Sequence, residues 1–302
     1  MADSPQPSLI DPQVVNRLLN QQFHTRFPMA GSVSGHHKSP FRGSSVEFAE
    51  YRKYAPGDDI RRLDWRVFGR TDRFFIREFE ADTNLRCYLV VDCSASMGYG
   101  AGEQTKFAYA QRLAASLGYL LVQQGDAVGL LCFDEKAACD IPPRRNPSHL
   151  QLIFNALRAA KPKGETALVK ALHDLAEKVK QRALVMIFSD CFCDVEQLLG
   201  AFQHLRFQKH DLAVFHLLDR AEVEFQFDRP VRFVDMENSS SILTEPAVIR
   251  RHYLAQFEAY LLQLKQGCHR FNADYRRIIT DENYEKVLAD FLVERAALSG
   301  TR

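Results

Sequence analysis

The sequence predicts an α/β fold: a doubly wound, mostly parallel sheet flanked by helices, with a β-rich N-terminal extension before it. Three observations predict this. From residue 86 onward, short apolar runs alternate with longer amphipathic ones, as in a parallel sheet whose strands are buried on both faces. Between residues 46 and 84 the chain is dense in aromatic and charged residues with two-residue alternation, the period of half-buried strands. The 302 residues, 46% of them hydrophobic, suffice for a substantial core.

The elements follow in order. Residues 1–10 read as a loose tail. In "DPQVVNRLLNQQF", Asp11 is a candidate N-cap, Pro12 suits the first helical position and the apolar residues recur at helical spacing. Residues 24–45 are rich in Gly and Ser and read as loop. "SVEFAEYR" and "RFFIREFEA" read as strands, with turn signals in "YAPGDDIRR" between them. The later strands are expected at 86–91, 126–133, 183–189, 211–218 and 274–280, with a short antiparallel one at 137–141. Helices are expected at 105–124, 147–160, 166–180, 194–207, 246–268 and 283–298. Residues 219–245 read as irregular. The chain therefore divides into a tail with a helix and loop (1–40), a β-rich Arg/aromatic extension (41–84) and an α/β domain (85–298).

Bulk properties exclude some functions. Lys plus Arg (39) balance Asp plus Glu (38) for a net charge of +1, so no nucleic-acid partner is expected. No apolar run reaches the roughly 18–20 residues that span a bilayer. "MADSPQPSLI" lacks the basic start and apolar stretch of a signal peptide. With seven cysteines, an odd number, the expectation is reduced thiols and a cytoplasmic protein. Cys191 and Cys193 lack the spacing of a zinc pair and read as small buried residues.

The chemistry concentrates in "LVVDCSASMGYG", residues 89–100. Asp92 lies just past an apolar strand and is followed by Ser94 and Ser96. Asp190, in "MIFSDCF", lies just past a later strand. With strand order 3-2-1-4-5-6 these two strands are neighbours at the point where the order reverses, which is where such sheets bind ligands. "KGETAL" adds the Thr166 hydroxyl. Two carboxylates and three hydroxyls form a hard, oxygen-only donor set suited to Mg²⁺, with Mn²⁺ or Ca²⁺ as alternatives, rather than to zinc. A cation held largely by neutral hydroxyls stays electrophilic and attracts a further carboxylate.

The pattern Asp92-x-Ser94-x-Ser96, Thr166, Asp190 resembles the metal-ion-dependent adhesion site of von Willebrand factor A domains, whose fold is Rossmann-type. The resemblance implies that Ser94 and Ser96 coordinate directly, that Thr166 and the aspartates act directly or through water, and that the metal recruits an acidic residue of a protein ligand. Upstream, "RGSSVEFAEYRKYAPGDDIRRLDWRVFGRTDRFFIREFEADTNL" (42–85) closely resembles the signature of bacterial domain-of-unknown-function family 58. That resemblance implies a partnership with MoxR-type AAA+ ATPases. It also implies the short form, without the transmembrane segments of longer members.

In the signature, Arg61, Arg62, Arg66, Arg70, Arg73 and Arg77 interleave with Asp58, Asp59, Asp64, Asp72, Glu78 and Glu80. One reading is an internal ion-pair lattice. A second is a docking face in which Trp65, with Tyr51, Tyr54 and Phe68, anchors a partner beside Arg66, Arg70 and Arg73; a third, a nucleic-acid face, is disfavoured because the nearly matched acidic residues repel phosphates. "PGDD" (56–59) reads as a turn. His36 and His37 read as inert loop residues, and His173-Asp174 as helix surface.

An enzyme is the second class considered. There is no GxSxG elbow and no GxxxxGK[ST] loop, and Ser94 stands where a phosphatase would carry its second aspartate. A metal-dependent hydrolase at the same loops remains the alternative. The leading expectation is a non-catalytic adaptor. Asp92→Ala is expected to abolish its metal-dependent binding while leaving the fold largely intact.

Overall fold

A computed structural model describes residues 9–19, 37–38, 48–54, 63–79, 82–83, 85–134, 137–237 and 240–299. The chain separates into two compact units, residues 25–85 and residues 1–24 with 86–302.

The larger unit is built on a six-stranded sheet. Its strands are β1 (Arg86–Asp92), β2 (Ala127–Phe133), β3 (Ala137–Arg144), β4 (Leu184–Ser189), β5 (Asp211–Leu218) and β6 (Asp274–Ile279). They are arranged β3-β2-β1-β4-β5-β6. Every pairing is parallel except β2 with β3. This is the 3-2-1-4-5-6 order, and the single antiparallel strand is an edge. There Pro142 and Pro143, which carry no N–H, are tolerated. Strand β3 runs to Arg144, three residues past the sequence expectation, because the prolines are absorbed in a register shift between Val128 and Leu130.

The central strands are buried on both faces because helices cover both sides. Six helices do so: α1 (Lys106–Gln123), α2 (Pro147–Ala159), α3 (Leu168–Lys178), α4 (Val195–Phe207), α5 (Pro246–Arg270) and α6 (Tyr284–Ser299). Tyr88, Val90, Val185, Ile187, Leu212 and Val214 point to one face. There they meet Leu168, Leu172 and Leu175 of α3, Leu198 and Phe202 of α4, and Leu264 of α5. On the other face the backbone of α1 comes close at Gly118, where an added Cβ would lie 3.1 Å from Leu89 and 3.9 Å from Leu150 of α2. Phe291 of α6 meets Phe215 edge-on at 4.8 Å. Each fully buried Leu, Val or Phe contributes about 1.5–3 kcal/mol relative to exposure, so the strand centres set the register. The helix Pro12–Leu18, capped by Asp11, which accepts the Gln13 N–H at 2.8 Å, belongs to this unit.

The described residues between 219 and 245 form more regular structure than their sequence suggests. They form the short helix Arg220–Glu224, closed by a capping box between Asp219 and Glu222, and a hairpin pairing Val231–Val234 with Ser241–Thr244.

In the smaller unit, Phe48–Lys53 pairs antiparallel with Phe75–Phe79. Between them lies a helix, Trp65–Thr71, so the extension is not purely β. Asp64 caps it, accepting the Arg66 N–H at 2.9 Å and the Val67 N–H at 3.3 Å. Phe68 stacks on Phe74 at 4.4 Å, flanked by Tyr54 and Trp65. Trp65 is 60% exposed, and Arg66, Arg70 and Arg73 are exposed on or just past this helix. Arg61, Arg62, Asp58, Asp59, Glu80 and His36 lie outside the described residues, as do the side chains of Tyr51, Arg77, Glu78 and His37.

All seven cysteines are free. No helix among the described residues is long and apolar enough to cross a membrane. His173 differs from its surface reading: half-buried, its Nδ1 lies 2.9 Å from Nδ1 of His204 on α4, while Asp174 is exposed.

Candidate metal centre

Asp92 is the last residue of β1, and Asp190 follows β4 directly. These strands are hydrogen-bonded neighbours, so both carboxylates arrive at the carboxyl edge of the sheet where the strand order reverses. Two backbone bonds dock the Thr166 loop beside them. The Ala95 N–H donates to Gly164 O at 2.9 Å, and the Lys163 N–H donates to Cys93 O at 2.9 Å.

Asp92 is completely buried. Its Oδ1 accepts the Ser94 N–H at 2.9 Å. Its Oδ2 accepts the hydroxyls of Ser189, at 2.6 Å, and Thr166, at 3.3 Å. The Ser94 and Ser96 hydroxyls lie 3.1 Å apart. The structure thus links Asp92, Ser94, Ser96 and Thr166 in one network, with Asp190 acting on Asp92 through its charge. Burial, reinforced by Asp190, pushes the Asp92 carboxyl up to about 7, against the pull of the Ser189 and Ser94 hydrogen bonds. The expectation that Asp92→Ala leaves the fold largely intact needs revision. The aspartate lies inside the protein and accepts three hydrogen bonds, and each buried donor left unsatisfied costs about 1–3 kcal/mol.

Asp190 is held by groups the sequence reading did not single out. Lys106, first residue of α1 and fully buried, donates through Nζ to Asp190 Oδ2 at 2.7 Å and to Glu222 Oε1 at 2.7 Å. Its ammonium also lies 4.9 Å from the centre of the Phe192 ring. Burial alone would lower the Lys106 pKa; the two carboxylates outweigh it, and the group stands raised and charged. Beneath the loop, His216 Nε2 lies 2.8 Å from Asp190 O, and its Nδ1 lies 2.8 Å from the Tyr275 hydroxyl. A carbonyl only accepts, so Nε2 carries the proton and Tyr275 donates to Nδ1. Burial lowers the His216 pKa to about 4, which keeps this tautomer neutral. The Tyr260 hydroxyl donates to Cys191 O at 2.6 Å. These contacts hold Cys191 at φ +54°, a left-handed conformation costly for a residue with a Cβ.

One further carboxylate arrives from the hairpin: Glu237 Oε2 accepts the Thr166 N–H at 3.4 Å. Its pKa is raised, first by burial and also by Asp190, while Thr166 and Ser96 pull it down.

No three His, Cys, Asp or Glu side chains among the described residues form a ready-made metal cluster. The donor set is instead one of hydroxyls between carboxylates, which fits a hard cation such as Mg²⁺ and not a soft one. Asp92 supplies the test of fit. A carboxyl raised towards neutrality, first by burial and then by a neighbouring aspartate, favours a proton, and a divalent cation can take that proton's place.

Known proteins provide the comparison. Residues 50–260 match the family described as "Protein of unknown function DUF58". The chain is 27% identical to the uncharacterized proteins Rv1480 of Mycobacterium tuberculosis and Mb1516 of Mycobacterium bovis, over 96% of this chain and 93% of each relative. Among solved structures it is similar to the conserved hypothetical protein BatB of Bacteroides thetaiotaomicron. That match has 15% identity and a TM-score of 0.42, covering 71% of this chain and 100% of the other. It is similar also to an aerotolerance-related membrane protein of Bacteroides fragilis, with 14% identity, a TM-score of 0.45 and coverage of 70% and 100%. The vWF domain of the pilus tip protein Mfa5 of Porphyromonas gingivalis matches with 13% identity, a TM-score of 0.34 and coverage of 72% and 97%. With its family match covering more than half of its length, the chain belongs to the DUF58 family.

Proposed function

We propose that the chain is a non-catalytic adaptor that binds a divalent cation, Mg²⁺ in the first place, at Asp92, Ser94, Ser96, Thr166 and Asp190. Through that cation it engages an acidic residue of a partner protein. The observation that carries this reading is one hydrogen-bonded network at the sheet's switch point: a buried Asp92 accepts the Thr166 hydroxyl and the Ser94 N–H, and the Ser94 hydroxyl lies 3.1 Å from that of Ser96. Those donors leave a hard cation electrophilic enough to take one more carboxylate. The family resemblance supports a MoxR-type AAA+ ATPase as the machine it serves, since the sequence has no phosphate-binding loop of its own. Trp65, Arg66, Arg70 and Arg73 offer a second contact surface, aromatic and cationic.

Metal-dependent hydrolysis has less support. It requires a general base within reach of a bound water. Most carboxylates around the site are already engaged: Asp92 by its three donors and Asp190 and Glu222 by Lys106, while Glu237 has one oxygen, Oε2, on the Thr166 N–H.

The test is a pull-down from native lysate in Mg²⁺ and again in EDTA, with Ser96→Ala as control because that change deletes one hydroxyl and leaves Asp92 its partners. A AAA+ ATPase retained only by wild type in Mg²⁺ supports the adaptor. Equal retention in all three conditions moves the binding face away from the cation.

A further inference from the structure

We propose that Glu237 is an internal ligand of this site. Its carboxylate holds the place that a partner's acidic side chain takes, so the site stays closed from within until Glu237 withdraws. The inference rests on the cation reading above.

Glu237 lies on the tip between Val231–Val234 and Ser241–Thr244, more than forty residues from the nearest other donor in sequence. Its own N–H donates to Asp235 Oδ1 at 2.8 Å, and the Asp235 N–H donates to Ser240 O at 2.7 Å, which shapes the tip. The side chain turns inward: Oε2 takes the Thr166 N–H, and the carboxylate lies close enough to Ser96 and Asp190 to feel both. The other oxygen, Oε1, is buried without a hydrogen-bond partner. A bare carboxylate oxygen beside the like charge of Asp190 is costly twice over, in lost hydrogen bonding and in repulsion. A hard cation among the Ser94, Ser96 and Thr166 hydroxyls removes both costs, and the bare oxygen is then a donor.

The tip is seated over the site but lightly held. Met236 Cε lies 3.6 Å from where a Cβ on Gly98 would be, so the tip rests on the loop that follows Ser94 and Ser96. Behind it, Val234, Ile242 and Leu243 are 55%, 69% and 76% exposed. Phe233 anchors the hairpin by stacking on Phe225 at 5.4 Å, so what must shift is Glu237 at the tip and not the strands behind it. A tethered carboxylate also competes at an effective concentration of about millimolar. A partner's acidic residue must therefore outbid it.

The experiment uses Mn²⁺, a paramagnetic substitute for Mg²⁺, with the full chain as wild type, Ser96→Ala, Glu237→Gln and Glu237→Ala. Mn²⁺ affinity and the water-proton relaxivity of the bound ion are measured, with thermal melts to verify folding. Glu237→Gln, the same size but uncharged, is expected to weaken Mn²⁺ binding about tenfold or more, on the scale of altered metal-site partners. Glu237→Ala is expected to raise the relaxivity, as water replaces the carboxylate. Adding acetate should bring the relaxivity of Glu237→Ala back down and leave wild type unchanged. Wild-type affinity and relaxivity in both Glu237 variants would overturn the inference while leaving the cation reading standing. Absence of saturable Mn²⁺ binding by wild type would sink both, and that result does not depend on residue 237.

Discussion

The Lys106 ammonium lies 2.7 Å from Asp190 Oδ2, and neither side chain reaches solvent. The same ammonium is 2.7 Å from Glu222 Oε1, so one positive charge joins the start of α1, the end of β4 and the helix Arg220–Glu224. A buried pair of this kind adds little net stability, because desolvation offsets most of the attraction. What it fixes is position: Asp190 is held at the sheet edge with its charge balanced, next to an Asp92 that carries no such partner.

Lys106→Met should therefore be costly out of proportion to the value of the pair. It leaves Asp190 and Glu222 buried without their cation, a situation that destabilises by about 3–5 kcal/mol. Urea unfolding of the variant should show an unfolding free energy lowered by that amount at neutral pH. A loss below about 1 kcal/mol would mean that water reaches the pair.

Cation binding predicts a thermal shift. A ligand bound only by the folded state at a hundred times its Kd adds about 2.7 kcal/mol. Saturating Mg²⁺ should raise the melting temperature of wild type, and EDTA should reverse the rise. Ser96→Ala should lose most of that shift while melting near wild type without metal, since Ser96 is only half-buried and its hydroxyl faces Ser94. Equal shifts in both proteins would remove Ser96 from the donor set.

The sheet and the edge that carries Asp92 and Asp190 were legible because strong local signals agreed. β1, β2, β4 and β5 are apolar on both faces, and only a parallel sheet between helix layers buries such strands. Their order then put Asp92 and Asp190 side by side. Lys106 was not legible: a lysine in the first turn of an amphipathic helix looks like solvated surface, and only tertiary contacts with Asp190 and Glu222 bury it. Ser189 looked like the polar end of a strand. Glu237 was hidden in a stretch read as irregular, although apolar Val231 and Phe233 on either side of Arg232 have the two-residue alternation of a strand. The helix Trp65–Thr71 lay inside a segment whose aromatic density suggested strands, and the cue was Asp64 just before it, a good N-cap.

His210 should make the fold acid-sensitive. It is fully buried, and its Nδ1 accepts the Ala183 N–H at 3.2 Å, so protonation would set two donors face to face. Burial lowers its pKa from 6.5 to about 4, with the charges of Arg182, Arg206 and His204 acting in the same direction. The unfolded chain binds the proton more readily, so this contribution is complete above pH 6.5 and is lost as the pH falls from 6.5 through 4. At about 1.4 kcal/mol per pH unit its upper bound is about 3 kcal/mol. Urea midpoints at pH 7, 5.5 and 4 should fall less steeply in His210→Asn, whose amide oxygen can accept the same N–H. An unchanged slope would place the acid sensitivity elsewhere.

Gly129 of β2 tests the bulge that admits the two prolines into β3. A Cβ there would lie 2.6 Å from Ile141 O and 2.8 Å from the Pro143 nitrogen, both backbone atoms with no flexible end to swing away. The register shift between Val128, paired with Arg144, and Leu130, paired with Ile141, leaves Gly129 facing this crowded stretch. Gly129→Ala must push the strands apart, and overpacking of this sort costs about 1–3 kcal/mol. Gly200, within α4 and with nothing within 4 Å of its added Cβ, is the contrast. Gly200→Ala should stabilise by about 0.5–1 kcal/mol through helix propensity. Paired urea titrations should move the two midpoints in opposite directions with unchanged m-values. Should Gly129→Ala also stabilise, β3 yields at its prolines, and the edge strand is looser than the pairing around Ile141 and Arg144 indicates.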